Sequence, residues 1–193
     1  MRCLACKNDG KLSFWIKALN GIEIFRCKFC DNAQISDKIK ELEYDYSEYG
    51  DYWENLPKDH IKNRSKVSIP KLIFFNVLKL FLGPNSNILD FGGGAGFFTI
   101  KCLKSGFKNT FLFEPSNKLR FIAKNKVGIP KKNIIDKVSK IPDNSLDIII
   151  MLDVIEHLPV SDVDSILLEL RKKLKVNGIF AGATPNLNSL NII

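Results

Sequence analysis

The sequence predicts an α/β domain with a doubly wound, mainly parallel sheet of about five strands, preceded by a small cysteine-bound element. Two observations carry the α/β expectation. From about residue 66 short apolar runs alternate with helical patterns, and one of those runs leads into a glycine-rich turn. A third observation, two Cys-x2-Cys pairs, sets off the start of the chain. The expected organisation is a cysteine-bound segment over 1–35, an acidic aromatic connector over 36–65 and the α/β core over 66–193.

Cys3 and Cys6 form one pair, Cys27 and Cys30 the other. Two thiolates three positions apart reach one ion from a tight turn, and two such turns supply the four sulfurs of a tetrahedral zinc site. Phe14-Trp15-Ile16 and Ile22-Glu23-Ile24-Phe25 read as strands of a hairpin turning at Asn20-Gly21, which makes the segment a zinc ribbon. Four sulfurs close the coordination sphere and leave no place for a substrate water, so a structural Zn2+ is expected. No apolar run approaches the ~18–20 residues of a membrane span, and no apolar stretch follows Met1-Arg2 as in a signal peptide. A cytoplasmic location is therefore expected, where thiols stay reduced and serve metals rather than disulfides. Cys102 stands apart on an apolar helix and is expected in the core.

All four tyrosines fall between Tyr44 and Tyr52, among Glu41, Glu43, Asp45, Glu48, Asp51 and Glu54. Such a segment can stack on and hydrogen-bond a sugar, or it can serve as an apolar latch between the two parts of the chain.

In the core, Ser68-Ile69-Pro70 opens a helix filled by the apolar run from Leu72 to Leu82 and stopped by Gly83-Pro84. Asn87 to Phe91 is a strand, Phe97 to Lys104 a helix ended by Ser105-Gly106, and Thr110 to Phe113 the next strand. Ser116 caps a helix to about Lys126, and a short strand follows near Asn133–Ile135. The unbroken run Leu146 to Leu152 predicts a central strand buried on both faces. A helix from Ser161 places Val163, Ile166, Leu167, Leu170 and Leu174 on one face, Gly178 ends it, and Ile179 to Ala183 is a fifth strand.

The turn between the first of these strands and its helix reads Asp90-Phe91-Gly92-Gly93-Gly94-Ala95-Gly96. Glycines at 92, 94 and 96 allow a sharp turn and a close backbone approach to a ligand. A dinucleotide fingerprint would need a small residue where Phe97 stands. The form Asp-x-Gly-x-Gly-x-Gly instead resembles the first motif of the class I S-adenosylmethionine (SAM) methyltransferases, which have a Rossmann-like core. That resemblance implies SAM as cofactor and maps Asp90, Gly92, Gly94 and Gly96 to its site. It also assigns Glu114, at the end of the next strand, to the ribose hydroxyls, and Asp136, after the third strand, to the neighbourhood of the adenine.

After the central strand comes Asp153-Val154-Ile155-Glu156-His157. This D-x-x-E-H pattern resembles ubiquinone-type and related small-molecule methyltransferases, and the sequence lacks the Asn/Asp-Pro-Pro-aromatic run of enzymes that methylate base amines. Three roles are open. His157 can be a general base for an acceptor hydroxyl. Asp153, Glu156 and His157 can together hold a divalent cation. Or Glu156 and His157 simply cap and pack their loop. Thr184-Pro185-Asn186 resembles the family's loop beside the substrate pocket.

The net charge of +8 resides wholly in 66–193, since 1–65 sums to zero. It is densest over 101–132, where nine basic residues meet Glu114 alone. Such a surface is either solvated or attracts phosphates of RNA or a nucleotide-sugar. The family's sheet has seven strands, and only five are found here. The expectation is a C-terminally truncated core, by nature or by a cut, or a partner chain that completes the sheet. The layout of ribbon, Tyr-rich connector and SAM core resembles methyltransferases of glycan pathways. The expected function is methyl transfer to a hydroxyl or carbon of a small metabolite, such as a sugar or glycan intermediate. The alternatives are an RNA methyltransferase and a non-catalytic SAM-binding remnant or subunit.

Overall fold

Period-two runs dominate the start of the chain and helix-strand alternation the remainder, and the structure divides accordingly. The computed structural model describes residues 2–3, 5–17, 23–35 and 69–184. The chain forms two compact units, Met1–Tyr44 and Asp45–Ile193. The connector expected over 36–65 lies outside the described residues, as does the Asn20-Gly21 turn.

In the first unit β1 (Leu12–Lys17) pairs antiparallel with β2 (Glu23–Cys27), which pairs antiparallel with β3 (Ala33–Ile35). The hairpin strands are as expected. The third strand was not, because three residues are too short for a legible alternation. Phe14 lies opposite Phe25 with ring centroids 6.2 Å apart, edge to face. The register shifts between Phe14 and Ile16, and the guanidinium of Arg26 sits 5.0 Å over the Trp15 ring.

The second unit runs α1 (Ile69–Leu78), β4 (Ile88–Phe91), α2 (Phe97–Lys104), β5 (Thr110–Phe113), α3 (Asn117–Ile122), β6 (Ile134–Ile135), β7 (Leu146–Leu152), α4 (Val160–Lys173) and β8 (Leu174–Ala183). Its sheet has the order β6-β5-β4-β7-β8, with every pair parallel. This is the Rossmann-like α/β fold. The strand order reverses between β4 and β7, which opens a crevice at their carboxyl ends.

Alternation within the strands builds a core on each face. Ile88, Ile148 and Ile150 pack with Phe75 and Leu78 of α1, Phe98 and Cys102 of α2, and Phe107. Leu89, Ile149 and Met151 pack on the other face with Leu170, Ile166 and Leu167 of α4. Ile148 to Ile150 are wholly inaccessible to solvent, as a central strand requires. Cys102 is buried as expected, and burial pushes its thiol well above the ordinary range.

Three helix ends and one strand start depart from expectation. α4 stops at Lys173 rather than at Gly178, and Leu174 to Asn177 already belong to β8. α1 stops at Leu78, because Leu80 and Phe81 turn out of the core at 81% and 67% exposure and their N–H groups bond three residues back. α3 is capped by Ser116 but ends at Ile122, continuing as one π turn over Ala123–Val127. There Gly128, at φ 89°, reverses the chain and sends Ile129 into the core. Asn133 belongs to a 3-10 turn before β6, its amide donating to the carbonyls of Lys108 and Thr110.

Candidate functional site

In the first unit the four cysteine sulfurs come together. Cys3 Sγ lies 3.6 Å from Cys30 Sγ and Cys6 Sγ lies 3.7 Å from Cys27 Sγ, with all four within 4.8 Å of one another. These separations are too long for disulfides. They match the edges of a tetrahedron with metal–sulfur bonds of about 2.3 Å, which measure about 3.8 Å. The two knuckles are built alike. Lys7 N donates to Cys3 O and Asp31 N to Cys27 O, while Cys3 N donates to Asn8 O and Cys27 N to Asn32 O. Each knuckle then turns on a left-handed residue, Lys7 at φ 60° and Asp31 at φ 64°.

Hydrogen bonds from the Asn8 backbone and side chain hold the Cys6 thiol down to about 6. Cys30 is pushed up to about 12: the Asn32 backbone lowers it, but burial and the three neighbouring thiols prevail. Four thiols this close cannot all ionise without a cation between them, so the donor set fits a metal.

In the second unit the glycine turn follows β4. A Cβ placed on Gly96 would lie 2.2 Å from Ile129 Cδ1, and its φ of 78° is left-handed, so only glycine fits. Gly94 differs. It too is left-handed, yet a Cβ there would meet nothing within 4 Å, so at this point the turn is open to a ligand. Gly92 packs on the other side of the crevice, where its Cβ would stand 2.8 Å from Val154 of the loop after β7.

Asp90 and Glu114 are both buried, at 2% and 3% exposure. Asp90 lies beneath the turn and accepts a hydrogen bond from Thr99 Oγ1 of α2 at 2.7 Å. It therefore braces the loop from below. Glu114 accepts from Gly94 N through Oε2 at 2.9 Å and from Ser116 N through Oε1 at 2.8 Å. A carboxylate has about four acceptor positions, so these two bonds leave acceptor capacity on both oxygens. Burial pushes the Glu114 carboxyl up, against the Ser116 and Gly94 N–H groups and the nearby Arg120 charge, which hold it down.

Asp136 follows β6 as expected but is engaged with Lys140 Nζ at 2.5 Å, and that bond holds its carboxyl below the ordinary range. Asp153, at φ 56°, makes the sharp turn at the end of β7, with its N–H donating to Ala183 O. Glu156 and His157 follow in a 3-10 turn, and all three side chains are exposed. They do not converge on a point. Among the described residues only the cysteines form a set of three or more groups close enough to share an ion. A divalent-cation site at Asp153, Glu156 and His157 is therefore not preformed: Asp153 lies outside the 3-10 turn, on which the adjacent Glu156 and His157 point about 120° apart.

Thr99 and Arg120 are the site residues that the sequence patterns passed over. Arg120 Nη1 donates to the carbonyls of Glu114 and Pro115. Of the Thr184-Pro185-Asn186 loop, Pro185 and Asn186 lie outside the described residues.

Against known proteins, a methyltransferase domain family model matches residues 60–192. Among solved structures, a SAM-dependent methyltransferase from Archaeoglobus fulgidus superposes with a TM-score of 0.53 at 19% identity, covering 76% of this chain and 61% of that one. A protein from Pyrococcus horikoshii gives 0.53 at 19% identity, with 72% and 59% covered. A SAM-dependent methyltransferase from Leishmania major gives 0.50 at 20% identity, with 70% and 58% covered. The chain thus spans about three fifths of the length of these relatives. No curated protein matches in sequence. Among the described residues no helix is long and apolar enough to cross a membrane. With the family model matching well over half of the chain, including every described element of the α/β unit, the chain belongs to the methyltransferase domain family.

Proposed function

We propose that the chain binds SAM across the glycine turn and Glu114 and transfers its methyl group to a hydroxyl or carbon of a small metabolite, a sugar or glycan intermediate. The observation that carries the reading is the pairing of an open Gly94 with a buried carboxylate at the neighbouring strand end. The cofactor supplies a methyl group activated by its sulfonium. Glu114 keeps two acceptor positions for a ribose diol, the backbone at Gly94 leaves room for the ligand, and Asp90 with Thr99 keeps the turn rigid. Rate enhancement would come mainly from positioning the acceptor in line. His157 stands beyond the carboxyl end of β7 and is the group assigned to take the proton of an acceptor hydroxyl. The cysteine quartet is assigned to a structural zinc, because it offers four sulfurs and no open position.

A small acceptor is favoured over RNA by the location of the basic residues. Lys108 precedes β5, and Lys131 and Lys132 precede β6, at the amino ends of the strands and away from the crevice. The test is methyl transfer from labelled SAM to a panel of nucleotide sugars and, separately, to total RNA. Label is expected in the sugar fraction, and His157→Ala should lower turnover about a hundredfold with SAM affinity unchanged. Label confined to RNA would overturn the small-molecule assignment. Near-normal turnover by His157→Ala would remove the base.

A further inference from the structure

We propose that Arg120 is a positioning residue of the cofactor site, clamping the end of β5 so that the Glu114 carboxylate stays against the glycine turn. The inference rests on the assignment of that turn to SAM. Arg120 Nη1 donates to the carbonyl oxygen of Glu114 at 2.5 Å and to that of Pro115 at 2.7 Å, while Nη2 donates to Asn117 Oδ1. The same turn is held by Ser116, whose N–H donates to Glu114 Oε1 and whose hydroxyl caps α3 at Leu119 N.

The Glu114 carbonyl needs a partner, because the residue is buried and lies just past the last β4–β5 pair, Phe91 with Phe113. A guanidinium that engages two consecutive carbonyls through Nη1 and Asn117 Oδ1 through Nη2 in one plane stiffens the strand end more than a single-point ammonium can. Arg120 is also the sole arginine among the nine basic residues of 101–132.

The charge of Arg120 bears on the site as well as its geometry. From α3 it lowers both Glu114 on the β5 end and Asp136 on the β6 end, whereas Asp90 on β4 raises Glu114. Lys140 faces Asp136 from the following turn. Glu114 must be ionised to accept hydrogen bonds from a diol on both oxygens. Its carboxyl is already pushed up by burial, so removing the guanidinium pushes it further and moves the acid loss of cofactor affinity to higher pH.

The experiment is calorimetric titration of the zinc-loaded chain with S-adenosylhomocysteine between about pH 5 and 8, for the wild type, Arg120→Met and Arg120→Lys. Arg120→Met should bind about tenfold more weakly at neutral pH, with its acid limb shifted upward. Arg120→Lys keeps the charge but not the fork, so it should lose about threefold with the limb in place. In a Glu114→Gln background, Arg120→Met should add little further loss, since the partner it serves is gone. Equal unfolding midpoints of the ligand-free variants establish that the comparison is between folded proteins. Wild-type affinity in Arg120→Met would overturn the inference. So would a loss that is the same at every pH and additive with Glu114→Gln, because that marks a merely structural contact. Failure of the wild type itself to bind would instead overturn the cofactor assignment, and this inference with it.

Discussion

The cysteine unit and the α/β unit solve the problem of holding a site rigid in opposite ways. In the first, the buried residues are few, chiefly Cys3, Cys27 and Gln34 among those described, and the four sulfurs repel ionisation until a cation joins them. In the second, an apolar core covers each face of the sheet, and residues around the turn brace one another: Asp90 with Thr99, Glu114 with Gly94 and Ser116, Gly92 against Val154. A unit too small to bury a core has to borrow stability from a metal, whereas a larger one can spend buried carboxylates on a binding site.

The largest effect should come from removing the zinc proposed for the four cysteines. Structural zinc contributes about 10–16 kcal/mol in small peptides, so Cys27→Ser or chelation should unfold the first unit outright. Metal analysis should give one zinc per chain before and none after, while amide exchange should show β1 to β3 lose protection and β4 to β8 keep it. Loss of protection in both units together would show that the metal's reach is not local.

Next in size is a steric break in the second unit. Gly96→Val adds left-handed strain and a collision with Ile129, together about 3 kcal/mol or more. The thermal midpoint of the α/β unit should fall, and S-adenosylhomocysteine binding should vanish while zinc content stays unchanged. An unaltered midpoint would mean that the turn adapts.

The smallest effect sharpens the comparison. Thr99→Val leaves the buried Asp90 carboxylate short of one donor, about 1–3 kcal/mol in stability. Weaker cofactor binding is expected with it, as the turn loses its brace from below. Stability lost with affinity intact would separate Asp90 from the site.

What could be read from the sequence differs between the units for physical reasons. The four sulfurs were legible because knuckle spacing alone dictates their meeting; the left-handed Lys7 was not, since lysine does not favour that conformation, and Asp31, of a type that does, was passed over. The mainly parallel five-stranded sheet followed from the alternation of apolar runs and helical patterns, which also put Glu114 at the end of β5; the order of the strands within the sheet did not. Thr99 was missed because a threonine in a helix is silent until its neighbour's burial is known. Its signal is its place three residues after Gly96, under the loop. Arg120 was hidden in a lysine-rich stretch that reads as solvated surface. Asp136 and Lys140 stand four apart and could have been recognised as an ion pair from that spacing. The cation that was one of three roles open to Asp153, Glu156 and His157 finds no preformed cluster among the described residues: proximity in sequence is not convergence in space.

The most direct test of the cofactor site is calorimetric titration of the folded, zinc-loaded chain with S-adenosylhomocysteine, beside Glu114→Ala. One saturable site in the wild type, lost in Glu114→Ala, is the predicted result. No binding by the folded wild type, or undiminished binding by Glu114→Ala, would contradict it.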